Sequence, residues 1–204
     1  MQETSTRDAR AIAPALAPRS IAVLAPALGR LSRALARIEA AAAGLAVFVV
    51  FSLLMANVVS RSFGRPLIWT DELAVNCMVW AAFIGASVGL AHRQHIAVML
   101  LPDMLPNRIG RAMAVAVDLA LLLFLGVLAI VLWRWFDPVG LFKAETLEAF
   151  SAATFNFIYQ EPTVTLGVRK FWFWLVLPVF CLTAMLHVIA GLVAHVAELG
   201  EVRP

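Results

Sequence analysis

Four runs of about 20 mostly apolar residues, at 38–59, 73–91, 112–133 and 172–195, constrain this chain more than any other feature. At roughly 1.5 Å of rise per residue, each is long enough as a helix to cross a hydrocarbon layer about 30 Å thick. Inside that layer no water is available to bond the backbone, so a spanning run of this kind must satisfy its own amides as a helix. Composition agrees: 62% of the residues are hydrophobic and 14% charged, with a mean hydropathy of +0.89, against about 25% charged in soluble domains. The expected fold is an all-α integral membrane protein with four transmembrane helices and interfacial amphipathic helices beside them.

Lys and Arg are spread unevenly around the runs. Arg7, Arg10, Arg19, Arg30, Arg33 and Arg37 precede the first, and the connection between the second and third carries Arg93, Arg108 and Arg111. The connection between the first two holds only Arg61 and Arg65. Basic residues near a membrane mark its cytoplasmic side, so the N terminus, the second connection and the C terminus are expected inside, and the first and third connections outside. The early arginines also interrupt any compact apolar core of a secretory leader, and no cleaved signal is expected. The net charge of +3 thus speaks to topology. No basic run is interleaved with aromatics, so no nucleic-acid partner is expected.

Residues 1–19 are expected to form a cytoplasmic tail, 38–195 the four-helix membrane domain and 196–204 a second cytoplasmic tail. Between 20 and 37, Ile21, Leu24, Leu28, Leu31 and Leu35 recur at helical spacing with arginines elsewhere around the turn, which predicts an interfacial helix interrupted at Pro26. The external connection 134–171 holds a second stripe, Leu147, Phe150, Thr154, Phe157 and Ile158, that predicts a short amphipathic helix.

Several polar and small residues stand out. Trp69 suits the membrane interface, and Asp71 and Glu72 sit where negative charge meets the positive end of a helix. Ala81, Gly85 and Gly89 are spaced by four and make a face that lets another helix backbone approach. Asn57 can hydrogen-bond across helices near the outer end of the first span. Asp118 lies about two turns inside the third span, where an ionisable group is costly; Arg111, seven residues earlier, is on the same face. Phe171, Trp172, Phe173 and Trp174 form an aromatic belt, and Pro178 predicts a kink soon after.

Four histidines raise the possibility of a haem held between two helices, with His92 and His187 at similar depth. Such a chain would be a haem-binding subunit or a membrane anchor for a redox enzyme. Against this, His92 and His95 fall at or beyond a helix end beside Arg93, whereas a bis-imidazole site is enclosed by apolar side chains. Spacing of the HxxH type with Asp103 as the only nearby carboxylate is not a zinc pattern. Cys77 and Cys181 lie within spans without ligand spacing and read as small buried hydrophobes. No nucleophile constellation, phosphate loop or carboxylate pair in a cleft is present, so neither a cofactor nor an enzymatic role is expected. No inverted repeat with broken helices marks a transport core either.

The stretch from Asn57 to Pro106 resembles the small permease (DctQ) subunit of tripartite ATP-independent periplasmic, or TRAP, transporters. Asn57 and Arg61 close the first span, Trp69 and Glu72 form Trp-x-x-Glu, and Trp80 lies in the second span ahead of Phe83, Gly85 and Ala86. His95-Ile96 with Val98 and then Leu105-Pro106 complete the pattern, while Met99 departs from it where the family often has Asp. The resemblance implies a bacterial inner-membrane protein, multi-pass with both termini cytoplasmic. It implies a stable complex with a large permease that holds the sodium and substrate sites. It also implies transient contact with a periplasmic binding protein that delivers an organic anion, such as a C4-dicarboxylate or related carboxylate. The small subunit would scaffold its larger partner in the lipid bilayer. His95 would fix the turn between the second and third spans by bonding a helix end.

Overall fold

A computed structural model describes residues 19–92 and 107–201. His95 and Pro106, with the rest of the 93–106 connection, and both outermost tails lie outside the described residues. The described chain is all-α, in the order α1 (Arg19–Ser62), α2 (Ile68–His92), α3 (Asn107–Phe136), α4 (Pro138–Lys143), α5 (Leu147–Thr154), α6 (Phe171–Trp174) and α7 (Val176–Glu201). Four segments are long and apolar enough to cross a membrane: Leu24–Ser62, Ile68–His92, Ala112–Lys143 and Phe171–Ala197. Among the described residues the only strand-like pairing is one antiparallel bridge, Pro162 with Arg169.

The stripe at 20–37 and the first apolar run belong to one continuous helix of 44 residues, about 66 Å long and so about twice the hydrocarbon thickness. Pro26 stays inside it. The ring removes only the amide that would reach residue 22, close to the helix start. One turn further on, Arg30 Nε donates to the Pro26 carbonyl at 3.3 Å.

α7 is the hub. It packs against α3 and also touches α1 and α2, while α1 and α2 lie along each other. Small and medium side chains make the α3–α7 seam possible: Leu125, Ala184 and Val188 are buried, with Leu121, Leu122 and Phe180 against them. On the α2 side, Phe83 meets Phe180 edge to face with ring centroids 5.3 Å apart. Away from the seams the helices present large apolar side chains outward, among them Phe48 and Phe51 of α1 and Leu123 and Phe124 of α3. In water such a surface would be untenable; in lipid it costs nothing.

The connection from α3 to α6 folds into a cap with its own aromatic core of Phe150, Ile158 and Tyr159, packed against Phe136, Leu147 and Phe171. Asp137 starts α4 with its carboxylate accepting from Gly140 N at 2.9 Å. A Cβ on Gly140 would lie 2.1 Å from that carboxylate, so the cap requires glycine there. The predicted amphipathic stripe runs as helix only to Thr154, because Phe155 turns left-handed at φ 54° and ends α5. Phe150 is buried on the helix, Ile158 is buried beyond it, and Phe157 is exposed. The aromatic belt and α7 are separated by a break at Leu175, since Pro178 has no amide to give the Trp174 carbonyl.

Candidate functional site

Polar side chains gather at the two ends of the bundle, where they tie helices that apolar packing alone would leave free to slide. At the end holding the 62–68 turn and the α3–α6 cap, three of the singled-out residues act together. Arg61 Nε donates to Asn57 Oδ1 at 3.1 Å, Arg61 also bonds Asp71 Oδ2 at 3.0 Å, and Asn57 Nδ2 donates to Asp71 Oδ1. Asn57 is buried while Arg61 and Asp71 are exposed. The ion pair itself is screened by water, and its use is to hold register between α1 and α2.

Glu72 reaches a different element. Its carboxylate accepts from Val164 N at 2.8 Å, from Thr165 N at 2.6 Å and from the Thr165 hydroxyl at 2.7 Å. These amides sit at the tip of a turn closed by Thr163 N to Val168 O at 2.8 Å and Lys170 N to Glu161 O at 2.9 Å. Gly167, at φ +70°, supplies the left-handed residue the turn needs. Glu72 therefore clasps the cap to α2 instead of capping its own helix. One helical stretch further along, Trp80 Nε1 donates to the Phe173 carbonyl at 3.0 Å, next to the break before α7. Trp69 is exposed at the helix entry.

The opposite end holds a network that the sequence reading did not assemble. His187 on α7 donates from Nε2 to Glu39 Oε2 at 2.9 Å, which leaves Nδ1 to accept from the Ser32 hydroxyl at 2.7 Å. Ser87 on α2 donates to Glu39 Oε1 at 2.9 Å and accepts from Thr183 at 2.9 Å. Ser32, Glu39, Ser87 and His187 are all buried, so three helices share one closed set of hydrogen bonds. Each is a polar group inside a membrane-length helix, where leaving it unpaired is expensive. Nearby, Asp118 on α3 meets His195 on α7, with Oδ2 to Nδ1 at 2.9 Å. Arg111, the same-face neighbour expected from sequence, has a side chain outside the described residues.

For haem ligation, the geometry of His187 is unfavourable: both ring nitrogens are engaged, and iron would have to displace Ser32 or Glu39. His92 spends Nδ1 on the Val88 carbonyl at 3.0 Å. Among the described residues no three His, Cys, Asp or Glu side chains converge as a metal set.

The small-residue face is open. Gly85 is exposed, and a Cβ there would meet nothing within 4 Å; Ala86 is exposed too, while Ala81 and Gly89 are half-buried. Among the described residues no helix covers Gly85.

The family described as tripartite ATP-independent periplasmic transporters, DctQ component, matches over residues 50–198, most of the chain. The sialic acid TRAP transporter permease protein SiaT of Haemophilus influenzae (strain 86-028NP) is 32% identical over 69 residues. That alignment covers 33% of this chain and 11% of the relative's length. No solved structure matches. On a family match over most of its length and four membrane-length helices, this chain belongs to the DctQ family of TRAP transporter membrane subunits, as a multi-pass protein of the inner membrane.

Proposed function

We propose that this subunit is a scaffold, without catalytic or cofactor chemistry of its own, that holds a large TRAP permease at fixed tilt and depth in the membrane. The partner's transport part then moves against it during sodium-driven uptake of an organic anion handed over by a periplasmic binding protein. The observation that carries the reading is the pairing of polar ties at both ends of the bundle with an uncovered small-residue face at Gly85. A block tied at both ends keeps its shape under load, and a helix without side-chain bulk lets a second backbone come close.

The N terminus, the 93–106 connection and the C terminus face the cytoplasm in this reading, which the arginine distribution supports. The cap and the Glu72 clasp then face the periplasm, where a binding protein docks. Ala81, Gly85 and Gly89, with the exposed flanks of α1 and α3, meet the large permease or lipid. The transported solute belongs to the carboxylate class; the relative named above carries sialic acid, itself an acid, in its name.

Replacing Gly85 by Leu tests the interface. The side chain meets open space within this chain, so the subunit folds as before, while co-purification of the large permease falls at least tenfold. Wild-type yield of the complex with Gly85→Leu contradicts the placement of that interface. The redox-anchor alternative is read from the visible spectrum of the purified protein: a Soret band that disappears on changing His187 would overturn the scaffold reading.

A further inference from the structure

A cavity of about 390 Å³ opens beside the end of α3, between Arg134 and Trp135 on one side and Trp174 of α6 on the other, with Phe155, Phe157 and Glu161 completing it. Its volume falls in the range of about 300–1,000 Å³ that holds small ligands. Three features mark it as a site and not a packing fault. Arg134 makes no hydrogen bond or ion pair among the described residues, although it lines a cavity whose other side chains are mostly aromatic. Glu161, the one carboxylate in the lining, is already held by Lys170 at 2.5 Å, which leaves Arg134 as the lining charge that no ion pair neutralises among the described residues.

The third feature is Phe155. It is one of two non-glycine residues with positive φ among the described residues, and it is 84% exposed although it lines the cavity. A strained aromatic that gains no burial within its own chain is placed to cover something else. Asn156 fixes the loop that carries it, donating to the Trp135 carbonyl at 2.6 Å and accepting from Ile158 N at 3.1 Å. The wall is rigid as well, since Trp135 and Trp174 stack edge to face with centroids 5.3 Å apart.

The depth of the opening selects the occupant. It lies at the end of a membrane-length helix, level with the aromatic run Phe171–Trp174, and such aromatics sit where hydrocarbon gives way to headgroups. We propose that this cavity binds the phosphodiester of an anionic glycerophospholipid. The Arg134 guanidinium takes the phosphate through its paired N–H groups, and the glycerol and first acyl carbons lie along Trp135, Trp174 and Phe157. Phe155 closes over the headgroup. The inference rests on the cavity alone and is independent of the scaffold reading.

The test uses the full chain purified with its large permease in detergent, exchanged with phosphatidylglycerol or phosphatidylcholine and examined by native mass spectrometry. Wild type is expected to retain phosphatidylglycerol, and Arg134→Gln to lose it by about tenfold, the value of a charge-assisted hydrogen bond. Arg134→Lys restores part of the retention, and Arg169→Gln, outside the cavity, changes nothing. Phe155→Gly separates binding from folding: removing the left-handed strain raises the unfolding temperature, while lipid retention falls. Equal retention of phosphatidylcholine, unchanged retention in Arg134→Gln, or unchanged retention in Phe155→Gly overturns the proposal. Displacement of the lipid by millimolar inorganic phosphate also overturns it, because it identifies a soluble phosphate as the ligand.

Discussion

Replacing Glu39 by Ala attacks the buried network where three helices meet. The carboxylate accepts from His187 and from Ser87, and the two side chains of the His187–Glu39 pair are 0% and 9% exposed. Interhelical hydrogen bonds in membrane proteins are worth about 0.6 kcal/mol on average and up to about 1.7, so the two lost bonds account for roughly 1–3 kcal/mol. The His187 Nε2–H is left without a partner in a dry position, a penalty of about 1–3 kcal/mol if no water enters. Ser87 is cushioned, because Thr183 stays within 2.9 Å. A total loss of about 2–6 kcal/mol is expected. Ser32→Ala removes a single bond and should cost about 1 kcal/mol. Ser52→Ala, whose hydroxyl only back-bonds the Phe48 carbonyl on an exposed face, should stay within about 0.5 kcal/mol.

The assay is unfolding of the purified subunit by dodecyl sulfate in mixed micelles, followed by helical circular dichroism and tryptophan fluorescence. A double-mutant cycle between Glu39→Ala and His187→Ala isolates the pair, with a coupling of about 1 kcal/mol or more expected. A Glu39→Ala loss below about 0.5 kcal/mol together with additive single mutants would refute the network as a structural tie.

Two further perturbations probe the other end. Burial, and secondarily the negative charge of Asp137, push the Tyr159 phenol above its ordinary value, and the neutral hydroxyl donates to the Phe136 carbonyl at 2.5 Å. A raised value means that the neutral form is favoured in the folded cap. Its stabilisation is therefore complete below the unfolded value near 10 and is lost as pH rises through the folded one. Tyr159 is the chain's only tyrosine, so absorbance titration reads it directly; an ordinary titration midpoint contradicts the buried contact, and Tyr159→Phe should remove the alkaline loss of cap stability. Glu72→Ala releases the 164–165 turn, and protease cleavage between 161 and 170 should accelerate sharply while helix content stays unchanged. Unaltered cleavage shows that the clasp is not what orders the turn.

The membrane helices were legible because lipid leaves the backbone one solution: a run of twenty apolar residues has to satisfy its own amides. The partners of the polar residues were not. Glu39 stands at the boundary of the first apolar run and reads as its edge, and its partner His187 lies 148 positions away. Its membrane depth, together with Ser87 and His187 inside apolar runs, was the available signal. Asp118 announced itself by depth, yet the same-face arithmetic that points to Arg111 carries no information about His195 across the bundle. Likewise Glu72 sits where a helix dipole explains a carboxylate, and only tertiary folding brings the 164–165 amides to it. The helical stripe after Leu147 was readable up to Thr154, where a left-handed phenylalanine ends the period in a way no spacing rule anticipates. The face at Gly85 was visible as small residues, but spacing does not say that the described helices leave it uncovered.

The scaffold account is tested most directly by solute uptake into vesicles containing the large permease and binding protein, driven by a sodium gradient and normalised to assembled complex. The account predicts that Glu39→Ala and Gly85→Leu lower the amount of assembled complex while uptake per complex, and the sodium concentration giving half-maximal rate, stay at wild-type values. A shifted sodium dependence in complexes of normal yield would contradict it, by placing this subunit in the coupling step itself.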